Sequence, residues 1–327
     1  MTLLLWIIAI VVAAALAVLA YYAAVTRRLA AEAERNIPMK GKTVSVDGER
    51  IHYVDVGEGR PILFIHGLGG QLQHFDHPLF AALGHGYRLV ALDRPGAGYS
   101  TRTTSGARIP DQAALIARFI DALKLERPLV VGHSLGGAIA LCLALDHPAK
   151  VSGLALISPL THYIPEPPGE FKGLRIPSPL MRRLLAHTIA IPLALKNAPK
   201  TLAFVFGPQA APADFPIAGG GFLGLRPSQF YAVSTDLVAT EQDMPGQEKR
   251  YGELKLPVGM LFGDADRVLA HAQHGLPMRD KVAGLDLEIL EGIGHMPQFV
   301  ATERVAAFVR RMADKAFAPL PAPRLGA

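Results

Sequence analysis

The sequence predicts an α/β domain with a mostly parallel sheet flanked by helices, a helical cap inserted between strands, and a transmembrane helix in front. Three observations carry that expectation. Short apolar runs such as residues 129–131 alternate with helix-like stretches, the pattern of strands buried on both faces. Between residues 160 and 251 this alternation stops, and proline clusters with apolar helical segments replace it. Residues 2–25 carry no charged side chain, which as a helix is long enough to cross a bilayer core.

Trp6 sits near one end of that span and Tyr21 and Tyr22 near the other, where interfacial aromatics are expected. A cleaved signal peptide has a shorter apolar region preceded by Lys or Arg, and a buried core helix would not run on into Arg27 and Arg28. Arg27, Arg28, Arg35, Lys40 and Lys42 all follow the span, so the positive-inside rule expects the rest of the chain on the cytoplasmic face. Residues 1–28 are therefore read as an anchor with its basic flank, and 29–42 as a polar stalk. Nothing in 1–35 is expected to belong to the sheet or the site.

The chain has 327 residues, half of them apolar, which is enough for one large α/β domain plus an insertion. Its net charge is +5, yet the basic residues are dispersed without interleaved aromatics, so no nucleic-acid partner is expected. The single Cys142 excludes an internal disulfide. Flanked by Leu141 and Leu143, it reads as a small core hydrophobe rather than a nucleophile.

Taken in order, residues 43–56 form two alternating runs about Asp47-Gly48, a hairpin signal. Residues 61–65 read as a buried strand that ends in His66-Gly67-Leu68-Gly69-Gly70, a turn rich in free backbone N–H groups. Residues 88–92 are the next strand, leading into 93–100. Gly96 and Gly98 there lack the spacing and lysine of a phosphate loop, so that stretch reads as a structural turn. An amphipathic helix over 110–125 returns the chain to the strand at 129–131, and 151–157 is a further strand. The insertion holds Pro165, Pro167 and Pro168, apolar helical segments over 180–195, a Gly219-Gly220-Gly221 hinge, and a helix from Ser228 to about Thr240. Placed between two strands, it would cap their carboxyl ends. Strands resume at 256–262 and 285–290, separated by a helix with His271 and His274. A last helix covers 297–317, and the proline-rich tail 318–327 is expected to be disordered.

Gly132-His133-Ser134-Leu135-Gly136 follows the G-x-S-x-G pattern, in which a strand turns sharply into a helix and holds a serine in a strained conformation. Side chains at Gly132 or Gly136 would collide across so tight a turn. Ser134 then stands at a helix N-terminus, where unpaired N–H groups favour an anion.

Together, His66-Gly67, residues 93–100, Gly132 to Gly137, Gly263-Asp264-Ala265-Asp266-Arg267-Val268 and Gly294-His295-Met296-Pro297 resemble the α/β-hydrolase family over residues 43–317. The resemblance is to the serine-nucleophile branch of esterases and lipases. The resemblance implies the chain order nucleophile, acid, histidine, hence Ser134, Asp266 and His295, with oxyanion donors at the N–H groups of Leu68 and Leu135. Asp264 competes with Asp266, but the family places its acid three residues after the glycine that ends the strand. The other position that carries an acid in this fold reads Ser158-Pro159-Leu160, with no carboxylate. No cofactor is implied, and no metal: His271 and His274 have no evident third ligand.

Serine at the elbow, rather than aspartate, sets the chain apart from the haloalkane dehalogenase and epoxide hydrolase branches. Ester, thioester or lipid hydrolysis is implied, with C–C hydrolysis, perhydrolase chemistry and ligand sensing through a slow triad as relatives. The expected function is a membrane-anchored serine hydrolase of lipophilic esters. Its core would be 43–159 and 252–317, and its cap 160–251, with apolar stretches 184–195 and 201–206 as the pocket roof.

Overall fold

The structure is a computed structural model that describes residues 2–77, 79–103 and 106–318. Its sheet contains β1 (Lys42–Val46), β2 (Glu49–Val56), β3 (Arg60–Ile65), β4 (Tyr87–Leu92), β5 (Leu129–His133), β6 (Gly153–Ile157), β7 (Val258–Gly263) and β8 (Asp286–Leu290). The strand order is β1-β2-β4-β3-β5-β6-β7-β8. The hairpin pairs Val46 with Glu49 across Asp47 and Gly48, both at positive φ as a two-residue turn requires. β1 and β2 are antiparallel additions, and from β4 to β8 all neighbours run parallel.

The near-continuous apolar runs arise because both sheet faces are covered. Leu63, Val90, Val130 and Leu154 turn to one face, under the helices Ile109–Ala122 and Leu135–Asp146. Phe64, Ala91, Val131 and Ala155 turn to the other, where Phe308, Val309 and Met312 of the helix Thr302–Ala316 meet them. Cys142 is buried in the first core, where burial pushes its thiol pKa up, as fits an inert side chain. Parallel strands send their carboxyl ends to one edge, so the turns after β3, β5, β7 and β8 converge there.

The insertion is helical, with three departures from the expected boundaries. Residues 180–195 are divided between the helices Pro179–Ala186 and Ala190–Phe206, which are bent by 76°. The helix expected to end near Thr240 runs Pro227–Gln247. Its extension follows from tertiary bonds along one face. The Asp243 carboxylate takes the N–H of Ile109 at 2.8 Å, and Gln247 Nε2 donates to Ala138 O at 2.9 Å. Gly219-Gly220-Gly221 is a close-packed joint rather than an open hinge. A side chain at Gly219 would lie 2.6 Å from Phe215 Cδ2, and one at Gly220 would strike Gln71.

The largest departure is at the amino end. One helix, Thr2–Asn36, continues through the stretch expected as a stalk. Its second half docks on the cap: Thr26 is buried and its hydroxyl donates to Thr188 O at 2.5 Å. Ala33 and Ile37 are buried too, Glu34 pairs with Arg226 at 2.8 Å, and the Tyr99 hydroxyl donates to Ile37 O. Residues 26–37 thus pack on the folded body, although, as expected, outside the sheet and the named site residues. Burial against a partner, which composition cannot reveal, makes a polar stretch a structural helix. At the other end, the expected helix 297–317 is broken at Ala301. The expected disordered tail lies outside the described residues from 319 onward.

Candidate active site

β5 passes into the helix Leu135–Asp146 through Ser134, whose φ of 53° and ψ of −120° are unusual for a side-chain-bearing residue. Such a conformation costs about 1–3 kcal/mol and persists only where the surroundings enforce it. Here Ser134 N donates to Ile157 O at 3.1 Å, and Ser134 O accepts from Gly137 N at 2.9 Å and Leu160 N at 3.0 Å. Gly132 fits because a Cβ there would lie 2.6 Å from Gly136 O.

His295 follows β8, and its Nδ1 lies 2.7 Å from Asp266 Oδ2. The other oxygen, Oδ1, accepts from Val268 N at 2.8 Å and Leu269 N at 2.9 Å. A carboxylate held this way is an acceptor for the imidazole, which leaves the proton on Nδ1 and the lone pair on Nε2. Both residues are buried. His133, next to Ser134, has its ring 4.9 Å from that of His295, and its Nε2 lies 3.0 Å from His295 O. A Cβ on Gly67 would lie 2.9 Å from Ser134 Cβ, so the turn after β3 closes on the same corner. Asp264 is elsewhere: exposed, with Oδ1 accepting from Gly292 N at 2.7 Å in the turn after β8.

Among the described residues, neither the Leu68 nor the Leu135 N–H has an acceptor. The direction of the first is set by a residue that sequence reasoning missed. Arg94 donates from Nε to His66 O at 2.9 Å and from Nη2 to Gly67 O at 3.0 Å. Gly67 O also faces His66 Nδ1 at 2.8 Å, while His66 Nε2 accepts from Arg94 N at 2.9 Å. The carbonyl of Gly67 and the N–H of Leu68 belong to one planar peptide, so pinning the oxygen aims the hydrogen the opposite way. Arg94 is itself held by Gln112 at 2.8 Å and by Asp236 of the cap helix at 2.7 Å. Its signal in the sequence is an arginine two residues after an apolar strand, in a stretch that reads only as a turn and as part of the family resemblance.

An aromatic cluster flanks His295. Phe206 of the cap lies 5.0 Å from Phe215 and 5.8 Å from Phe299, with Met296 completing the cluster. Phe206, Phe215 and Met296 are buried, so this is packed core that begins one residue after the imidazole.

Four buried histidines have their pKa values lowered by their surroundings. Burial, then the Arg94 charge, holds the His66 pKa well below its ordinary value, and burial with His295 nearby does the same to His133. Burial lowers His74 to about 4, and burial with His162 nearby lowers His274 to about 4. A histidine whose pKa is lowered by folding contributes stability that is complete above about 6.5 and lost as pH falls below it, because the unfolded chain then binds protons the native state refuses. The loss is about 1.4 kcal/mol per histidine for each pH unit. His52 runs oppositely. Burial works against its charge, but the hydrogen bond to Asp93 at 2.6 Å raises its pKa, so its contribution fades only as pH rises through the raised value. Urea unfolding at pH 7, 6 and 5 should therefore show a steep fall in midpoint toward pH 5. A flat profile would mean that these side chains are protonated in the folded state.

The chain belongs to the alpha/beta hydrolase fold family, which residues 60–302 match. It is 29% identical over 273 residues to the 2-hydroxy-6-oxononadienedioate/2-hydroxy-6-oxononatrienedioate hydrolase of Burkholderia vietnamiensis, covering 80% of this chain and 91% of that protein. A shorter stretch of 116 residues, 35% of this chain, is 43% identical to the dihydrolipoyllysine-residue acetyltransferase component of the acetoin cleaving system of Cupriavidus necator, where it spans only 31% of the relative. Among solved structures, a bacterial membrane phospholipase A, described as a virulence factor, superposes with a TM-score of 0.70 at 26% identity, covering 98% of this chain and 100% of the other.

Proposed function

We propose that this protein is a membrane-anchored serine hydrolase that cleaves carboxylic esters of lipophilic substrates through an acyl-enzyme on Ser134. The observation that carries the reading is the Asp266–His295 bond of 2.7 Å, set in the corner where Ser134 is held at positive φ. In this mechanism His295 Nε2 takes the proton of the Ser134 hydroxyl as Oγ attacks the ester carbonyl. The Leu68 and Leu135 amides receive the oxyanion, and His295 returns the proton to the leaving alkoxide. Water then repeats the sequence to release the acid.

Residues 43–159 and 252–317 serve as the catalytic body and 160–251 as its cap. The helix Thr2–Asn36 is long and apolar enough to cross a membrane, which supports an anchor at 2–25; the cytoplasmic placement of the catalytic body rests on Arg27, Arg28, Arg35, Lys40 and Lys42 following the span. Likeness to a membrane phospholipase A over almost the whole chain supports lipid-like esters.

The aromatic cluster of Phe206, Phe215 and Phe299, which packs with Met296 next to His295 in the chain, makes the surroundings of the imidazole apolar, which favours an apolar acyl chain. A buried CH₂ is worth about 0.8 kcal/mol, so kcat/KM should rise about three- to fourfold per methylene across p-nitrophenyl esters from acetate toward laurate until the pocket fills. A profile that falls from acetate onward refutes an apolar acyl pocket. Fluorophosphonate labelling of Ser134 without ester turnover transfers the assignment to C–C hydrolysis, perhydrolase chemistry or ligand sensing.

A further inference from the structure

The stretch 184–195, expected to roof the pocket, instead buries only Ala186, Thr188, Ala190 and Ile191, while Leu184, Ile189, Leu193 and Leu195 stand bare on the outer surface of the cap. Leu180 is 79% exposed and Leu193 is 53% exposed, and Met181, Leu184, Ile189 and Leu195 also face outward. Single exposed apolar residues are ordinary on a soluble surface, whereas a cluster rimmed by polar groups marks an interaction site. They belong to the helices Pro179–Ala186 and Ala190–Phe206 and the bend between them. Four exposed basic residues lie beside these stretches, Arg183 and Lys196 on the cap and Arg27 and Arg28 on the docked helix. None of the four forms an ion pair among the described residues.

What covers this surface follows from where the N-terminal helix touches it. Thr26, the last residue before the first charge, bonds to Thr188 in the bend between the two cap helices. The level at which the apolar span ends is therefore the level of that bend. With residues 2–25 inside a bilayer, Leu184, Ile189 and Leu193 fall within about two helical turns of its surface.

We propose that the outer face of the cap, residues 180–196, is a bilayer-contacting surface. Its apolar side chains enter the acyl boundary beside the anchor, while Arg27, Arg28, Arg183 and Lys196 meet the phosphates of anionic phospholipids. This rests on the reading that residues 2–25 span the membrane. The cap is then tied to the bilayer twice, through the docked helix and through its own face.

The test uses the full-length protein in phosphatidylcholine/phosphatidylglycerol vesicles with brominated acyl chains. Trp6 is the single tryptophan, so quenching of its fluorescence reports the anchor directly. An environment-sensitive fluorophore on Leu193→Cys reports the cap, and one on Glu58→Cys, at the amino end of β3 and away from the cap, serves as control. Quenching at positions 6 and 193 but not 58 is the expected result. Quenching at Trp6 with none at position 193 overturns the proposal and leaves the anchor standing; quenching at neither removes both. Shielding of position 193 that depends on protein concentration instead of lipid means that a second copy covers the face. Replacing phosphatidylglycerol by phosphatidylcholine should weaken the quenching at 193 severalfold, and insensitivity overturns the headgroup contact. Leu184→Gln/Leu193→Gln should reduce turnover of vesicle-borne esters about tenfold and leave a soluble short-chain ester unaffected. Equal loss on both substrates overturns the proposal.

Discussion

Ser134→Ala or His295→Ala is expected to lower turnover by about 10⁴-fold or more while the fold persists. Ser134→Ala keeps the backbone bonds to Ile157 O, Gly137 N and Leu160 N that hold the elbow, and alanine tolerates positive φ no better and no worse than serine. Only the hydroxyl is lost, and with it the atom that would carry the acyl group. His295→Ala leaves Asp266 with the Val268 and Leu269 amides as donors, so the carboxylate is not stranded. The two single losses and the double loss should be nearly equal, since the pair acts as a unit. Hydrolysis of a p-nitrophenyl ester beside circular dichroism of each variant decides the matter. A folded Ser134→Ala protein with near-wild-type activity sinks the assignment.

Asp266→Asn should be almost as damaging, with a loss of about 10⁴-fold in kcat and little change in stability. The asparagine oxygen can still accept from Val268 N and Leu269 N, which presents the amide NH₂ to His295 Nδ1. That ring nitrogen must then accept, the proton moves to Nε2, and the base has no lone pair for the serine hydroxyl. Asp264→Asn meets none of these conditions. It is exposed, its Oδ1 holds Gly292 N, and an asparagine oxygen replaces it with a loss of at most about 1 kcal/mol. The reverse ranking of the two variants would transfer the acid to Asp264.

The parts of this molecule that sequence reasoning reached are those whose physics is local. Strands β3, β5, β6 and β7 stand out as apolar runs because both their faces are covered. The elbow stands out because its glycines answer steric demands only a few residues away. What sequence reasoning missed is set by distant partners. The helix Pro227–Gln247 outruns its expected end because Asp243 and Gln247 bond to the core more than a hundred residues upstream in the chain. Residues 29–36 look like a polar stalk until the cap is present to bury Ala33. Arg94 has no periodic signature at all, since its importance comes from three carbonyl and carboxylate groups gathered from two distant elements, the turn after β3 and the helix Pro227–Gln247.

That arginine makes the helix Pro227–Gln247 and the turn after β3 a single thermodynamic unit. Asp236 on the cap receives both Arg94 at 2.7 Å and Arg102 at 2.6 Å, and it is buried. Withdrawing it would leave a buried guanidinium without its counter-charge, at a cost of about 3–5 kcal/mol, which confines such an excursion to on the order of one molecule in a hundred to several thousand. In that rare population the Gly67 carbonyl loses the fixed clamp that aims the Leu68 amide. In the proposed mechanism the Leu68 amide is therefore aimed only while the helix Pro227–Gln247 is seated on the turn after β3.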